Sequence, residues 1–569
     1  MPKNVLIIGA VALGPKVACR LRRLDPEAQI TLIDRDNLIS YGGCGIPYFV
    51  GGDINDVEDL YSTTSHAIRD TAFFESCKGV RVLTRVEARE IRRKEKQVLI
   101  CHLDSGREEL LDYDKLVLAT GAQAMRPPFP GADLPRVFTV SNLHDAEAIK
   151  GLMTQGKVGR AAIVGAGAIG LELAEAMTDL WGIRTTLIEM EDQVLPSLLG
   201  RCIARVIEKE LEGHGVEMLL EARVHEIREN GPEGGLQVIT SKKTLDVDIV
   251  ILAAGVRPNT ALARDAGISV GRSGGIVVDR RLRTSDPNIY AGGDCIELRN
   301  LVSGENMLMA LGSLANRQGR VIATNIHGGQ SHFKGTVGTF CIKVFEFGAG
   351  KAGLTYRQAR ETGYDPVYAV VSQADHAHFY PNAEILYIQL IADRRSRKIL
   401  GIEVAGRNGE AVKARVDTIA VLLQHGVDVD EVCSLETSYA PPFASAMDVI
   451  NNAGNVLDNI LAGWNDPVDA GDFLNIFAST GARVIDIRGE REAVPFIAKY
   501  GERWLNLPQD QLRRRWEEIP RDETFYLLCD TGPRSYEAQV FLRSRGLANT
   551  RNIQGGFAMI RAIDPGFIS

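Results

Sequence analysis

Two stretches of the chain carry the same rhythm of apolar and polar positions. At 4–24, NVLIIGAVALGPKVACRLRRL, a short apolar run meets glycines and passes into apolar positions at helical spacing. QITLID follows and ends in Asp34. At 161–177, AAIVGAGAIGLELAEAM repeats the pattern, and TTLIEM brings in Glu189. Each predicts a buried strand, a tight turn, a helix with one apolar face, and a second strand closed by an acid.

Other segments extend the duplication. LVLATGAQAMRPP (116–128) and IVILAAGVRPNT (249–260) are matching strand-then-glycine runs, one after each unit, and TSDPNIYAGGDC (284–295) sets Asp294 behind a strand and two glycines. After about residue 330 the glycine fingerprints stop. Strand-like EILYIQLIA (384–392) and helix-like AVKARVDTIAVLLQHG (411–426) then mix over 331–450, and NNAGNVLDNILAGWNDPVDAGD (451–472) reads as a connection. A last α/β unit follows, with ARVIDIR (482–488) as a strand, QLRRRWEE (511–518) as an exposed helix face, and TFYLLCDTGPRSYEAQVFLRSRG (524–546) as strand, loop and helix. For 569 residues the length prior is three to five domains.

The second unit completes G-x-G-x-x-G with Gly165, Gly167 and Gly170. Such glycines permit the turn, the approach of a pyrophosphate and close helix–strand packing, while the helix start offers free N–H groups. Glu189 is placed to accept from a ribose 2′-hydroxyl and would repel a 2′-phosphate, which favours NADH over NADPH. In the first unit Gly9 and Gly14 hold the outer positions but Val11 takes the middle one. Alone, that copy fits a dinucleotide site or an ordinary α/β turn equally.

Composition narrows the class. The net charge of −8 offers no overall basic field for nucleic acid. No apolar run reaches the ~18 residues of a membrane span, and MPKNVLIIGA reads as a buried strand rather than a secretory segment. Nine scattered cysteines, without C-x-x-C or zinc-type Cys/His spacing, fit free thiols in a reducing, cytoplasmic setting, and no metal site is expected.

Two nucleotide units, two strand-then-glycine segments and one late Gly-Asp resemble the flavoprotein disulfide reductases with two dinucleotide domains, over roughly residues 1–450. The resemblance implies two Rossmann-like domains: FAD on 1–150 with 271–328, and NAD(H) on 151–270. It further implies an α+β dimerisation domain on 329–450, hence a homodimer, and a linker over 451–465. Gly9, Gly14, Asp34, Arg35, Ser40, Thr120, Gly121 and Asp294 would hold FAD, with Asp294 on the ribityl chain. Gly165, Gly167, Gly170, Glu189 and Gly255 would hold NADH.

SYGGCGIPYF (40–49) places a lone thiol, Cys44, in a glycine-cushioned turn. Most members of that family pair two cysteines at the flavin. Cys44 has no near neighbour, since the next cysteines are Cys19 and Cys77, so its disulfide partner would be a separate molecule. Ser40, Tyr41, Cys44, Pro47 and Tyr48 fall on the motif of the single-cysteine branch: coenzyme A-disulfide reductases, NADH oxidases and NADH-dependent persulfide reductases. Gly43 replaces that branch's asparagine. A cysteine opening a helix gains thiolate character. Arg20, Arg22 and Arg23 on the first helix could be a solvated face; by the resemblance they would meet the phosphates of coenzyme A. HAHFYPNAE (376–384) and ETSYAPPFASAMDVIN (436–451) resemble the blocks that place Tyr380 and Tyr439 of a partner subunit near the thiol.

CDTGPRS (529–535) curls a loop around Cys529 before a helix, an arrangement that aims N–H groups inward as an anion nest. With Arg534 in the loop and Asp486 and Arg488 on a D-x-R strand, residues 466–569 resemble a rhodanese-like sulfur-transfer domain, although no clean G-H-I-x-G-A element follows. The whole implies an FAD- and NADH-dependent reductase of persulfides, polysulfides or coenzyme A disulfides acting through Cys44, with Cys529 as sulfur relay. The rivals are an NADH oxidase cycling Cys44 through a sulfenic acid, and a flavin-bearing sensor or sulfur carrier. The other seven cysteines are expected to be structural.

Overall fold

The computed structural model describes residues 3–231 and 234–567. It divides into two compact units. One runs to Met190 and resumes over Val216–Thr336; the other takes Glu191–Gly215 and the chain from Val337 onward.

The first unit contains two five-stranded parallel sheets built alike. In one, the order is Ile289–Ala291, Lys115–Leu118, Asn4–Ile8, Gln29–Ile33, Arg81–Leu83, with Asn4 opposite Gln29 and Ile8 opposite Ile33. In the other it is Val137–Thr139, Ile249–Leu252, Arg160–Val164, Arg184–Ile188, Glu217–Leu219. Each sheet also sends out a three-stranded antiparallel ribbon, Val86–Arg92, Gln97–His102, Glu108–Asp112 before strand Lys115–Leu118, and Val224–Asn230, Gly235–Thr240, Thr244–Val247 before strand Ile249–Leu252. Central strands such as Val5–Ile8 and Ile249–Leu252 are buried and uniformly apolar, as two-sided burial in a parallel sheet requires. A short antiparallel pair, Ala122–Ala124 with Val256–Pro258, ties the two strand-then-glycine segments together.

The second unit holds an antiparallel sheet in the order Phe340–Val344, Phe347–Gly353, Ile399–Gly406, Ile385–Asp393, Pro366–Ala374, covered by helices that include Gly409–Leu423. The tail adds a parallel sheet: Pro467–Val468, Thr550–Ile553, Phe525–Leu528, Arg483–Asp486, Trp504–Asn506. Helix Arg201–Gly213, which in sequence lies between two strands of the second parallel sheet, belongs to this unit and buries Cys202, Ile203, Val206, Ile207 and Leu211. Its first residue is preceded by Gly200, whose N–H donates to Glu403 Oε2 at 2.6 Å. Glu403 lies across the sheet from Lys351. Burial pushes the Glu403 carboxyl up and the Lys351 ammonium down.

The segment from 451, expected to be a connection, is helical as far as Leu461 within helix Val449–Leu461. The Asp448 side chain caps it by accepting from Ile450 N, and Val449, Ile450, Ala453, Leu457 and Ile460 form its buried stripe. Four asparagines on the remaining positions mask that stripe in a composition-based reading.

Candidate functional site

The first glycine turn is built by close approach. Gly9 has φ +107°, and a Cβ there would stand 2.1 Å from Ala119 O; one on Gly14 would stand 1.9 Å from Gly9 O. The acid at the end of the second strand then clasps the turn: Ala10 N donates to Asp34 Oδ2 at 2.6 Å, and Asp36 N to Oδ1 at 2.9 Å. Ser40, at φ +53°, donates its N–H to Ala10 O. Burial still pushes the Asp34 carboxyl up, and it pushes the neighbouring Tyr41 phenol to about 12.

Gly9, Asp34, Arg35 and Thr120 line one cleft of about 740 Å³ at the carboxyl ends of the parallel strands, the ligand position of such sheets. Thr120 is held by a reciprocal pair with Asn259, Oγ1 to Asn259 O at 2.7 Å and Asn259 Nδ2 to Thr120 O at 2.9 Å. Gly121 and Gly255, at φ +62° and +94°, make the turns after the two matching strands. Asp294 stands in a short 3-10 turn, Gly293–Cys295, where burial alone raises its carboxyl. Beside it Gln318, fully buried, accepts from Gly293 N through Oε1 at 2.7 Å, while its Nε2 has no partner among the described residues. A cleft lined by the first glycine turn and the Asp34 carboxyl, with a second buried carboxyl and an orphan amide donor at Gly293–Cys295 outside that lining, fits a flavin dinucleotide.

The second turn repeats the first. Gly165 has φ +110° with its Cβ position 2.4 Å from Ala253 O, and Gly170 abuts Gly165 O at 2.0 Å. Ala166 N donates to Glu189 Oε2 at 2.8 Å, as Ala10 N does to Asp34. A Cβ on Gly167 would meet nothing within 4 Å, so this glycine leaves open the face a pyrophosphate needs. The site fits NADH. Further along the same helix, burial raises Glu172 to about 7, helped by the like charge of Glu175.

Cys44 lies in the turn Gly43–Gly45, immediately before helix Ile46–Gly51; it is exposed and free. Gly312, which opens helix Gly312–Ile326, faces it: a Cβ there would lie 3.9 Å from Cys44 Sγ. The three arginines of helix Leu13–Leu24 separate. Arg22 donates to the carbonyls of Pro26, Lys78 and Gly79, which fastens this helix to the end of Thr71–Lys78. Arg20 keeps a buried Nε without a partner among the described residues, and Arg23 is exposed.

In the second unit, Tyr380 and Tyr439 are 43% and 50% exposed, among exposed Phe379, Phe443 and Met447. The two blocks are tied by Ala377 N to Pro441 O at 3.2 Å. The His376 ring packs edge-on to Tyr380, with Nδ1 against Asp375 Oδ1 at 2.7 Å.

Cys529 ends strand Phe525–Leu528 and is 1% exposed. Its sulfur receives Gly532 N–H at 3.0 Å and the Ser535 hydroxyl at 3.3 Å. Arg534 pairs with Asp530. Asp486 and Arg488 form a fully buried two-pronged pair, at 3.0 and 2.7 Å, with Trp504 Nε1 also donating to Asp486. These two build the tail's core beside the thiol loop: Asp486 pairs with Leu528 across the sheet, and both charges act on Asp530 of the loop. Gln318 and Gly312 carry no sequence signal, and Gly532 and Ser535 are not singled out within their motif. Ser535 closes that CDTGPRS motif, and a hydroxyl six positions after the thiol on a helix start was the available signal.

Two glycine-turn nucleotide folds with an isolated exposed thiol define a dinucleotide-dependent redox protein. Family comparison makes this specific: the pyridine nucleotide-disulphide oxidoreductase profile matches residues 3–319, its dimerisation domain 339–449, and the rhodanese-like domain 469–562. The chain belongs to the pyridine nucleotide-disulphide oxidoreductases. A NAD-dependent persulfide reductase from A. fulgidus is similar along the whole length, at 36% identity and a TM-score of 0.92, covering 98% of this chain and 99% of that one. A Bacillus anthracis CoADR-RHD structure is similar at 34% identity, a TM-score of 0.89 and 99% coverage of both chains. The NAD(P)H coenzyme A polysulfide/persulfide reductase of Pyrococcus horikoshii is 31% identical over 80% of this chain and 99% of its own. An NADH oxidase of Methanocaldococcus jannaschii is 33% identical over 79% of this chain and 97% of its own. Among the described residues no helix is long and apolar enough to cross a membrane.

Proposed function

We propose that this protein is an NADH-dependent reductase of persulfide, polysulfide or coenzyme A-disulfide sulfur, working as a homodimer in a reducing, cytoplasmic setting. Cys44 carries the mixed disulfide, and Cys529 relays sulfane sulfur. The observation that carries the reading is Cys44 itself: exposed, free, and set in a turn of the cofactor-binding unit rather than in a core. The nine free cysteines accord with that setting.

Gly9, Gly14, Asp34, Arg35, Ser40, Thr120, Gly121 and Asp294 would hold FAD. Gly165, Gly167, Gly170, Glu189 and Gly255 would hold NADH. When bound, FAD would supply two-electron redox chemistry to this unit. The Cys44 thiolate attacks the inner sulfur of R–S–S–H, forming Cys44–S–S–R and expelling HS⁻; with a disulfide R–S–S–R the leaving group is R–S⁻. Two electrons originating from NADH then open the mixed disulfide, returning the thiolate and releasing R–S⁻. Tyr380 and Tyr439 of the partner copy would donate to the leaving sulfur, and Arg20 and Arg23 are the cations available to the phosphates of a coenzyme A body. The oxidase and the Pyrococcus horikoshii reductase alike leave the tail uncovered, but the A. fulgidus persulfide reductase resembles the chain throughout, tail included; a sulfur-transfer tail favours sulfur over O₂ as acceptor.

The test is anaerobic NADH consumption with coenzyme A persulfide, with coenzyme A disulfide, and in air without either. Cys44→Ser abolishes every sulfur activity, whereas Cys529→Ser keeps turnover of small persulfides. Equal loss from both variants on a small persulfide contradicts the division of labour.

A further inference from the structure

The loop that bends round Cys529 forms one wall of a chamber of about 570 Å³ through Thr531, Gly532 and Pro533. The facing walls come from outside the tail, from strand Pro366–Ala374 and helix Val449–Leu461. Among the described residues lining it there is no Lys, Arg, Asp or Glu, and His378 is its one basic side chain. Carboxamides take their place: Asn452, Asn455 and Asn459 along one helix face, and Asn465 and Asn552 from the tail side.

Two buried polar atoms of this lining have no partner among the described residues: Ser372 Oγ and Asn552 Oδ1, in side chains 2% and 4% exposed. Leaving such an atom unpaired is unfavourable, and a small side-chain rotation toward the chamber would let a ligand carrying hydrogen-bonding groups pair it. Ser372 is also well placed. A Cβ on Gly555 would come within 2.9 Å of its Oγ, and one on Gly532 within 3.8 Å of Gly555 N. Gly532 is the residue whose N–H holds Cys529 Sγ. The nearest loop cation, Arg534, is already paired with Asp530.

We infer that this chamber selects the sulfur donor of Cys529, admitting organic hydropersulfides with a polar but uncharged body and disfavouring the thiosulfate dianion. The inference rests on the relay role proposed for Cys529. In the transfer, the Cys529 thiolate attacks the outer sulfur of R–S–S–H. The S–S bond breaks, R–S⁻ leaves, and the proton stays on the transferred sulfur as Cys529–S–S–H, with no outside oxidant or reductant. A dianion would enter a lining of amides, hydroxyls and apolar groups in which His378 is the one basic side chain among the described residues, and such a lining solvates charge far less well than water. Ser372 and Asn455, neither of them in the tail, become specificity-determining residues for the tail's reaction.

The test uses the full-length protein without NADH, under argon. It is mixed with the hydropersulfide of 2-mercaptoethanol, with that of mercaptosuccinate, or with thiosulfate, and the added sulfur on the Cys529 peptide is followed by quench and mass spectrometry. The uncharged body should load Cys529 about tenfold faster than either charged donor. Asn455→Lys, placing a cation in the chamber, should raise loading by thiosulfate several-fold without raising that by the uncharged donor. Equal or faster loading of the unaltered protein by thiosulfate, or no gain in Asn455→Lys with an unchanged melting temperature, overturns the chamber's role and leaves Cys529 as a sulfur acceptor. Loading by none of the three donors overturns the relay reading, and this inference with it.

Discussion

Gly165→Ala separates the two nucleotide sites. The backbone at this residue has φ +110°, a region in which an L side chain is strained by about 1–3 kcal/mol. Its added Cβ would also sit 2.4 Å from Ala253 O, nearly an ångström inside ordinary contact. Neither atom can yield cheaply, because both are backbone in adjacent parallel strands' turns. The turn must therefore open by close to an ångström, and misplacement on that scale costs about 100-fold in rate when it governs positioning. The assay is anaerobic stopped-flow bleaching of the flavin by NADH, beside bleaching by dithionite, on protein whose FAD content has been measured. FAD content and dithionite reduction should match the parent, while kcat/KM for NADH falls about 100-fold. A rate within twofold of the parent would refute the assignment of this turn to NADH; loss of FAD instead would assign it to the wrong nucleotide.

Two further outcomes follow from buried charge. Glu172 is raised to about 7 by burial, so the folded protein holds this proton more tightly than the unfolded chain does, and the associated stability is lost as pH climbs from about 4.5 through about 7. Glu172→Gln holoenzyme should melt like the parent near pH 5 and outlast it above pH 7, by on the order of 2 kcal/mol; identical melting at pH 8 argues against the raised carboxyl. Arg488→Met leaves Asp486 buried without its cation, a loss of about 3–5 kcal/mol, and should bring the tail's thermal transition well below the parent's while NADH-dependent reduction of small persulfides persists. A shift under about 2 °C in calorimetry counts against a structural role for the pair.

The parallel sheets were legible because their chemistry is local. A glycine that must take positive φ against a carbonyl, as Gly9 and Gly165 do, leaves a fixed letter in the sequence, and an acid 25 or 24 positions later closes the next strand. The tail's thiol loop was legible for the same reason. What escaped is what depends on distant partners. Arg22 reads as one of three free cations until its guanidinium is seen on three carbonyls from two other segments. Helix Val449–Leu461 hides behind asparagines whose use is to line a chamber rather than to face water. Ser372 and Gln318 carry no motif at all, since their meaning lies in atoms left unpaired after folding.

Helix Arg201–Gly213 has a consequence for synthesis. Its apolar stripe packs on strands from Phe340 onward and the N–H of Gly200 donates to Glu403, residues that leave the ribosome long after the helix has emerged. The nascent chain must therefore keep this helix from finding a wrong partner while the surrounding nucleotide fold closes. A graft that exchanges the NADH-binding segment for another family member's will carry over a helix tailored to a sheet it left behind.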